Sequence, residues 1–399
     1  MPLELSKKAL KIKPSSTMEI TERVKTMKRE GLDIVSLTAG EPDFQTPENI
    51  CGEGIRAIRE GLTKYTPASG LLELKEAVSE KFKRFNHLDY GTGQIVISNG
   101  GKHSLSNAFT SILNEGDEVI VPAPFWVTYT ESARLAGGVP VIVYTTKENN
   151  YKLTVPELEK AYTEKTKALV LNTPNNPSGM MYSKKELEDI ADFVIQHDFY
   201  VIADEVYESL CYDSNEHVSI ASLNEEIYRR TITVSALSKS YAMTGWRIGY
   251  AGASPEVAKA MSSIQSQQTS NPNTIAQIAA IEALNGDQSK VAEMVSAYNE
   301  RRKYICRRVN EIEDVSCAVP QGAFYVFVDL SALKTKTYQG QALGNAAEIA
   351  RILLNDFHVA GIPCADFGFP DHLRLSYSVS MEEIEEGMNR IHRFRESLS

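Results

Sequence analysis

Cysteine is scarce and unpatterned in this chain: five residues among 399, at Cys51, Cys211, Cys306, Cys317 and Cys364, with no C-x-x-C pair. An odd, scattered set excludes a disulfide framework and a cysteine-based metal site, and suits a reducing compartment. The opening residues, Met-Pro-Leu-Glu-Leu-Ser-Lys-Lys, hold no apolar core of a signal peptide, and no segment reaches membrane-spanning length. A cytoplasmic location without membrane contact is expected. Positive charge is also in deficit. Against 52 Asp and Glu stand 42 Lys and Arg, a net charge of -10, which argues against nucleic acid as a partner. The basic cluster Arg301-Arg302-Lys303 with Arg307-Arg308 falls in a helical pattern and reads as a solvated face. Internal repeats and low-complexity stretches are missing too. What remains is an ordinary globular composition on a chain long enough for two or three domains.

Strand-like apolar runs alternate with helical patterns through the middle of the chain. Candidate strands are 94–98, 118–121, 139–144, 168–171, 200–203, 231–234 and 248–252, and Lys184 to His197 reads as an amphipathic helix. Runs without polar alternation, separated by helices, predict a mainly parallel sheet buried on both faces. Beyond about residue 288 the pattern changes to a long charged helix over 290–313, a short strand within 322–328, and helices near 346–357 and from 381 onward. The expected fold is α/β: a large domain over 44–288, a smaller α+β domain over 289–399, and an N-terminal segment, 1–43, packing with the smaller one.

In such sheets ligands collect beyond the carboxyl ends of strands, and unusual polar residues follow one candidate strand after another. Gly100-Gly101-Lys102-His103 opens a helix, where glycines expose backbone N–H groups to an anion. Lys102 stands in the first turn, where the helix dipole disfavours a cation unless an anion is near. Trp126, one of two tryptophans, follows Pro122-Ala-Pro-Phe and can stack on a ring or simply pack. Asn172-Thr-Pro-Asn-Asn-Pro-Ser-Gly179 is a rigid turn able to aim an amide. Asp204 ends a buried strand and needs a partner, such as a protonated ring nitrogen. Most telling is Ser235-Ala-Leu-Ser-Lys-Ser-Tyr-Ala-Met-Thr-Gly-Trp-Arg-Ile-Gly249. Burial of Lys239 among small residues would depress its pKa and make it a nucleophile toward a carbonyl, and Arg247 nearby suits a phosphate. A carbonyl-binding lysine, ring stacker, ring-nitrogen partner, aimed amide and phosphate cradle together describe one ligand, pyridoxal 5'-phosphate.

With these motifs in place, the sequence resembles the fold-type I, class I aminotransferases, and most closely the bacterial-type aspartate aminotransferases. The likeness runs from Lys13-Pro-Ser-Ser-Thr17 and Leu37-Thr-Ala-Gly-Glu-Pro-Asp43 to Leu373-Arg-Leu-Ser-Tyr377. It implies that Lys239 carries the cofactor and then shuttles a proton between the substrate α-carbon and the cofactor. It implies that Asp204 pairs with the ring nitrogen, that Asn176 and Tyr207 bond the ring hydroxyl, and that Trp126 stacks on the ring. Gly100, Gly101, Lys102, Ser238 and Arg247 would surround the phosphate, with Tyr65 reaching the phosphate of a neighbouring subunit in a homodimer. Arg374 would grip the substrate α-carboxylate, and Gly40 lies on the segment that closes over it.

Two departures stand out. Ala236 occupies a position, three before the lysine, that is usually serine or glycine. No arginine occurs between Arg247 and Arg301, so a partner-subunit arginine for the distal carboxylate is missing. In the branch resembled, the lysine of the Gly-Gly-Lys turn takes that part, here Lys102 helped by Ser15 and Thr17. The implied reaction exchanges the amino group of L-aspartate, or a related acidic amino acid, with 2-oxoglutarate. The alternatives are another donor on the same scaffold (prephenate, aromatic or alanine) or a β-lyase.

Overall fold

The computed structural model describes residues 3–6, 9–10, 12 and 16–399. Its centre is a seven-stranded sheet: β1 (Ile95–Ser98), β2 (Glu118–Ala123), β3 (Val139–Tyr144), β4 (Thr166–Asn172), β5 (Tyr200–Asp204), β6 (Thr231–Ala236) and β7 (Gly249–Gly252). The spatial order is β1-β7-β6-β5-β4-β2-β3. All neighbours are parallel except β7, which runs antiparallel to both β1 and β6. Every residue of β1, β6 and β7 is buried, as unalternating apolar runs require. The strand expected from residue 94 begins one residue later, because Thr92–Gln94 forms a tight turn whose Gln94 side chain accepts from the Gly91 amide.

Local signals start the connecting helices. Lys184–His197 follows a reciprocal cap in which the Ser183 hydroxyl accepts from the Glu186 amide while Glu186 accepts from the Ser183 amide at 2.7 Å. Ser254 with Pro255 starts Pro255–Gln268, and Asn273 starts Thr274–Asn285.

The chain after the 22-residue helix Ser289–Asn310 builds a second body. Four antiparallel strands, β8 (Ser316–Cys317), β9 (Tyr325–Asp329), β10 (Ile362–Pro363) and β11 (His372–Ser376), lie in the order β10-β11-β9-β8. Val328, Leu373 and Leu375 pack there against Met388, Ile391 and Phe394 of the last helix, Met381–Glu396. The strand His372–Ser376 is absent from the strands read in the sequence, where Leu373-Arg-Leu-Ser-Tyr377 figures only as a motif carrying Arg374. Val35–Ser36 pairs in parallel with Val359–Ala360, which ties the N-terminal segment to this body. No helix among the described residues is long and apolar enough to cross a membrane.

Candidate active site

The antiparallel strand explains how distant motifs meet. Ser98 at the end of β1 and Ala236 at the end of β6 both pair with Gly249, the first residue of β7. The Gly100 loop, the Lys239 turn and Arg247 therefore share one edge of the sheet. There they line a cavity of about 650 Å³ with Asp204, Asn176, Trp126 and Tyr207.

At the loop after β1, Gly100 has a left-handed φ of +87°, and a Cβ on it would lie 2.4 Å from Arg247 Nη2. Glycine is needed there on both counts. A Cβ at Gly249 would meet the Gly101 nitrogen at 2.3 Å, so strand and loop touch backbone to backbone. Arg247 is itself left-handed, φ 59°, and its Nη1 donates to Thr244 O at 2.9 Å. The helix Gly101–Ile112 starts without a side-chain cap or an acidic residue in its first turn. Its positive end faces the cavity beside Lys102, Arg247 and Ser238, an arrangement suited to a phosphate. Ala236 lies under Gly101, its Cβ 3.4 Å from where a Gly101 Cβ would stand.

Asp204 is buried at the carboxyl end of β5. Its Oδ2 accepts from Tyr129 Oη at 2.8 Å and its Oδ1 from the Val206 amide at 3.2 Å. Burial pushes the carboxyl up to about 6, against the pull of these two donors. A buried carboxylate in that condition favours a cationic partner. The Trp126 ring stands edge-on to Tyr129, centroids 5.6 Å apart.

Asn176 is held by its backbone: its amide donates to Asn172 Oδ1 at 2.8 Å. Its Oδ1 accepts from Arg374 Nη1 at 3.0 Å, which leaves the amide nitrogen as its donor. Arg374 comes from β11 in the second body, and its Nη2 reaches Thr38 O at 3.2 Å. Its guanidinium lies 4.3 Å from the Tyr325 ring centre, and Nε is buried without a partner. Tyr325 and Tyr207 share a hydrogen bond between hydroxyls at 2.9 Å.

Lys239 Nζ donates to Gly40 O. Burial lowers its pKa to about 8, with Glu41 opposing and Arg374 and Arg247 assisting. The neutral amine is thus accessible near physiological pH. Lys102 is lowered as well, by burial and then by Arg247, and its Nζ sits 5.0 Å from the Trp126 ring centre.

Sequence reasoning missed Tyr129, Tyr325 and Thr38. Tyr129 lies in the first turn of the helix Thr128–Leu135, just after Trp126, and no local pattern marks it as the partner of Asp204. Nothing in the chain marks Tyr325 as the partner of Tyr207. Of the expected residues, Tyr65 lies outside the cavity at 91% exposure. Ser15 and the side chain of Thr17 fall outside the described residues.

The family model of class I and II aminotransferases matches residues 33–391. An aspartate aminotransferase of Bacillus sp. (strain YM-2) is 46% identical over 390 residues, 98% of each chain. The crystal structure of an aspartate aminotransferase from Rhizobium meliloti superposes with a TM-score of 0.97 at 38% identity, covering both chains fully. An aspartate aminotransferase from Thermus thermophilus with maleate superposes at 0.93 and 40% identity, over 98% of this chain and all of the other. The lysine-bearing cavity at the sheet edge and these likenesses agree: the chain belongs to the class I and II aminotransferases.

Proposed function

We propose that this enzyme transfers an amino group between L-aspartate, or a related acidic amino acid, and 2-oxoglutarate, giving oxaloacetate and L-glutamate, with pyridoxal 5'-phosphate as cofactor. One observation carries the choice of acidic substrates. Lys102 and Arg374 line the same cavity, and neither forms an ion pair among the described residues. With Lys239 and Arg247 given to the cofactor and its phosphate, these two cations suit a substrate with two carboxylates. The maleate of the Thermus relative is a dicarboxylate of that kind.

The residues fit the cofactor. Asp204, buried and pushed up to about 6, would hold a protonated ring nitrogen. Tyr207 and the free amide nitrogen of Asn176 would bond the ring hydroxyl, and Trp126 would cover the ring face. Gly100, Gly101, Ser238 and Arg247 would take the phosphate, with Lys102 beside them. Held in this cavity, pyridoxal phosphate would supply an electron sink for negative charge developing at the substrate α-carbon. Arg374 forks the α-carboxylate and Lys102 attracts the distal one, which fixes the direction of the Cα–H bond. Once displaced from the cofactor by the incoming amine, Lys239 Nζ, with its lowered pKa, would take the α-proton and deliver it to the cofactor rather than back to the α-carbon. Gly40, whose carbonyl already meets Lys239, lies on the segment that covers the substrate, and Ser15 and Thr17 would assist Lys102.

The exposed Tyr65 supports a homodimer in which it completes the neighbour's phosphate site, and a cytoplasmic enzyme suits the five free thiols. The break at about residue 288 precedes the helix leading into the second sheet, which supports the division into 44–288 and 289–399, with 1–43 packed on the latter.

Mixing holoenzyme with single amino acids and following loss of the lysine-bound cofactor absorbance tests the reading. Aspartate and glutamate should convert the enzyme fastest, and Lys239→Ala should show no such band. Faster conversion by alanine or an aromatic donor would refute the acidic specificity.

A further inference from the structure

The turn that presents Asp204 and Tyr207 has a second face. Between and after them come Glu205 and Glu208, and Glu208 N donates to Glu205 O at 2.9 Å, closing the turn. Asp204 and Tyr207 look into the cavity; Glu205 and Glu208 look away, into the protein. Both carboxylates are buried, and both are fully engaged.

Lys81, from the helix Leu72–Lys81, pairs with Glu208 and also donates to Asn86 Oδ1 at 2.9 Å. The Asn86 amide then reaches both acids, Glu205 at 2.8 Å and Glu208 at 2.7 Å. His217 Nε2 lies 3.0 Å from Glu205 Oε2. Ser235, at the end of β6 and four residues before Lys239, donates to Glu208 Oε1 at 2.6 Å. Glu205 N also donates to Val234 O on that strand at 2.8 Å.

Two buried carboxylates beside one ammonium leave an excess negative charge. Burial opposes a charged His217, yet Glu205 and Glu208 together raise its pKa. Burial likewise would raise Glu208, but Lys81 and His217 hold it low. A protonated His217 makes the group neutral, the condition under which buried ions are tolerated. The Lys81 ammonium supplies the other positive charge, at Glu208.

We propose that Glu208, with Lys81, Asn86, Glu205, His217 and Ser235, forms a positioning network that fixes the turn bearing Asp204 and Tyr207 relative to the strand leading to Lys239. These residues touch neither substrate nor cofactor. They act through the side chains on the opposite face of the turn. A misplacement of Asp204 or Tyr207 by a fraction of an ångström would change how the cofactor ring is held.

The inference rests on the pyridoxal-phosphate reading, and the test separates the two. Wild-type holoenzyme, Glu208→Gln and Ser235→Ala are titrated from acid to alkaline pH while the absorbance of the lysine-bound cofactor is followed. Steady-state kinetics are measured alongside. Absence of a pH-dependent band in the wild type would defeat the cofactor reading. With the band present, Glu208→Gln should move its midpoint by about half a pH unit or more and lower kcat about tenfold, with KM for the amino donor nearly unchanged. Ser235→Ala should move both the same way by less. Should Glu208→Gln fail to fold, Ser235→Ala and His217→Asn carry the test. Variants that lose thermal stability but keep the wild-type midpoint and kcat show a purely structural cluster, and a loss confined to KM likewise overturns the proposal.

Discussion

Asp204 and Lys102 line the same cavity under opposite conditions. Asp204 is enclosed, with both carboxylate oxygens bonded and a buried ionic network behind the turn that follows it. Lys102 has no carboxylate partner among the described residues, and its neighbours are the Trp126 ring and the like-charged Arg247. Arg374 stands between these extremes: its two terminal nitrogens are anchored to Asn176 and Thr38, while Nε is unpartnered. One end of the site is shaped before any ligand arrives, as electrostatic preorganisation demands. The other holds charge in reserve for whatever carboxylate enters. On the proposed function, chemistry common to all donors would belong to the enclosed end, and choice among donors to the open one.

The largest expected effect falls on the intermediate group. Arg374→Lys keeps the charge but loses the fork that meets Asn176, Thr38 and a carboxylate together. We expect kcat/KM to fall about a hundredfold or more for every donor, a loss of roughly 3 kcal/mol. A donor panel measured under kcat/KM conditions checks this; a loss limited to dicarboxylates would place the α-carboxylate elsewhere.

Lys102→Ala should divide the panel instead. Aspartate and glutamate should lose about ten- to a hundredfold in kcat/KM, and alanine should stay within about threefold of the wild type. Single-turnover rates with each donor provide the measurement. Equal losses for all would mean that Lys102 serves the phosphate alone, and the contrast between the two ends would collapse.

The same contrast governs what could be read from the chain. The sheet was legible because burial on both faces forces unalternating Val, Ile and Leu runs, as in Ile95–Ser98 and Thr231–Ala236. Lys239, Asp204, Asn176 and Arg247 were legible because each is an unusual polar residue following a strand or bracketed by glycine or proline, and their meeting at one cavity follows from the sheet order. Tyr325 was not. Its link to Tyr207 crosses from one sheet to the other, 118 positions away in the chain, and no local pattern encodes it. The network behind the turn was equally hidden, since Lys81, Asn86 and His217 look like ordinary surface residues until the fold buries them.

The smallest effect, and the sharpest probe of the enclosed end, is Tyr129→Phe. Asp204 is raised from the ordinary carboxylate value of 3.8 to about 6 chiefly by burial, and the Tyr129 hydroxyl works against that rise. Because the folded value is the higher one, ionising Asp204 costs stability. The cost is absent below the unfolded value of 3.8 and complete above about 6, at roughly 3 kcal/mol in the cofactor-free protein. Removing the hydroxyl takes away a bond that favours the carboxylate, so the folded value climbs further and the penalty at neutral pH grows. Cofactor-free Tyr129→Phe should therefore lose stability more steeply than wild type as pH rises from 5 to about 8. In the holoenzyme, the acid limb of the kcat/KM profile should move to higher pH by up to about one unit, with the plateau kept within about threefold. An acid limb that stays in place would mean that Val206 N–H and the bound ring suffice to hold Asp204 ionised, and that the enclosed end is more redundant than its hydrogen bonds suggest.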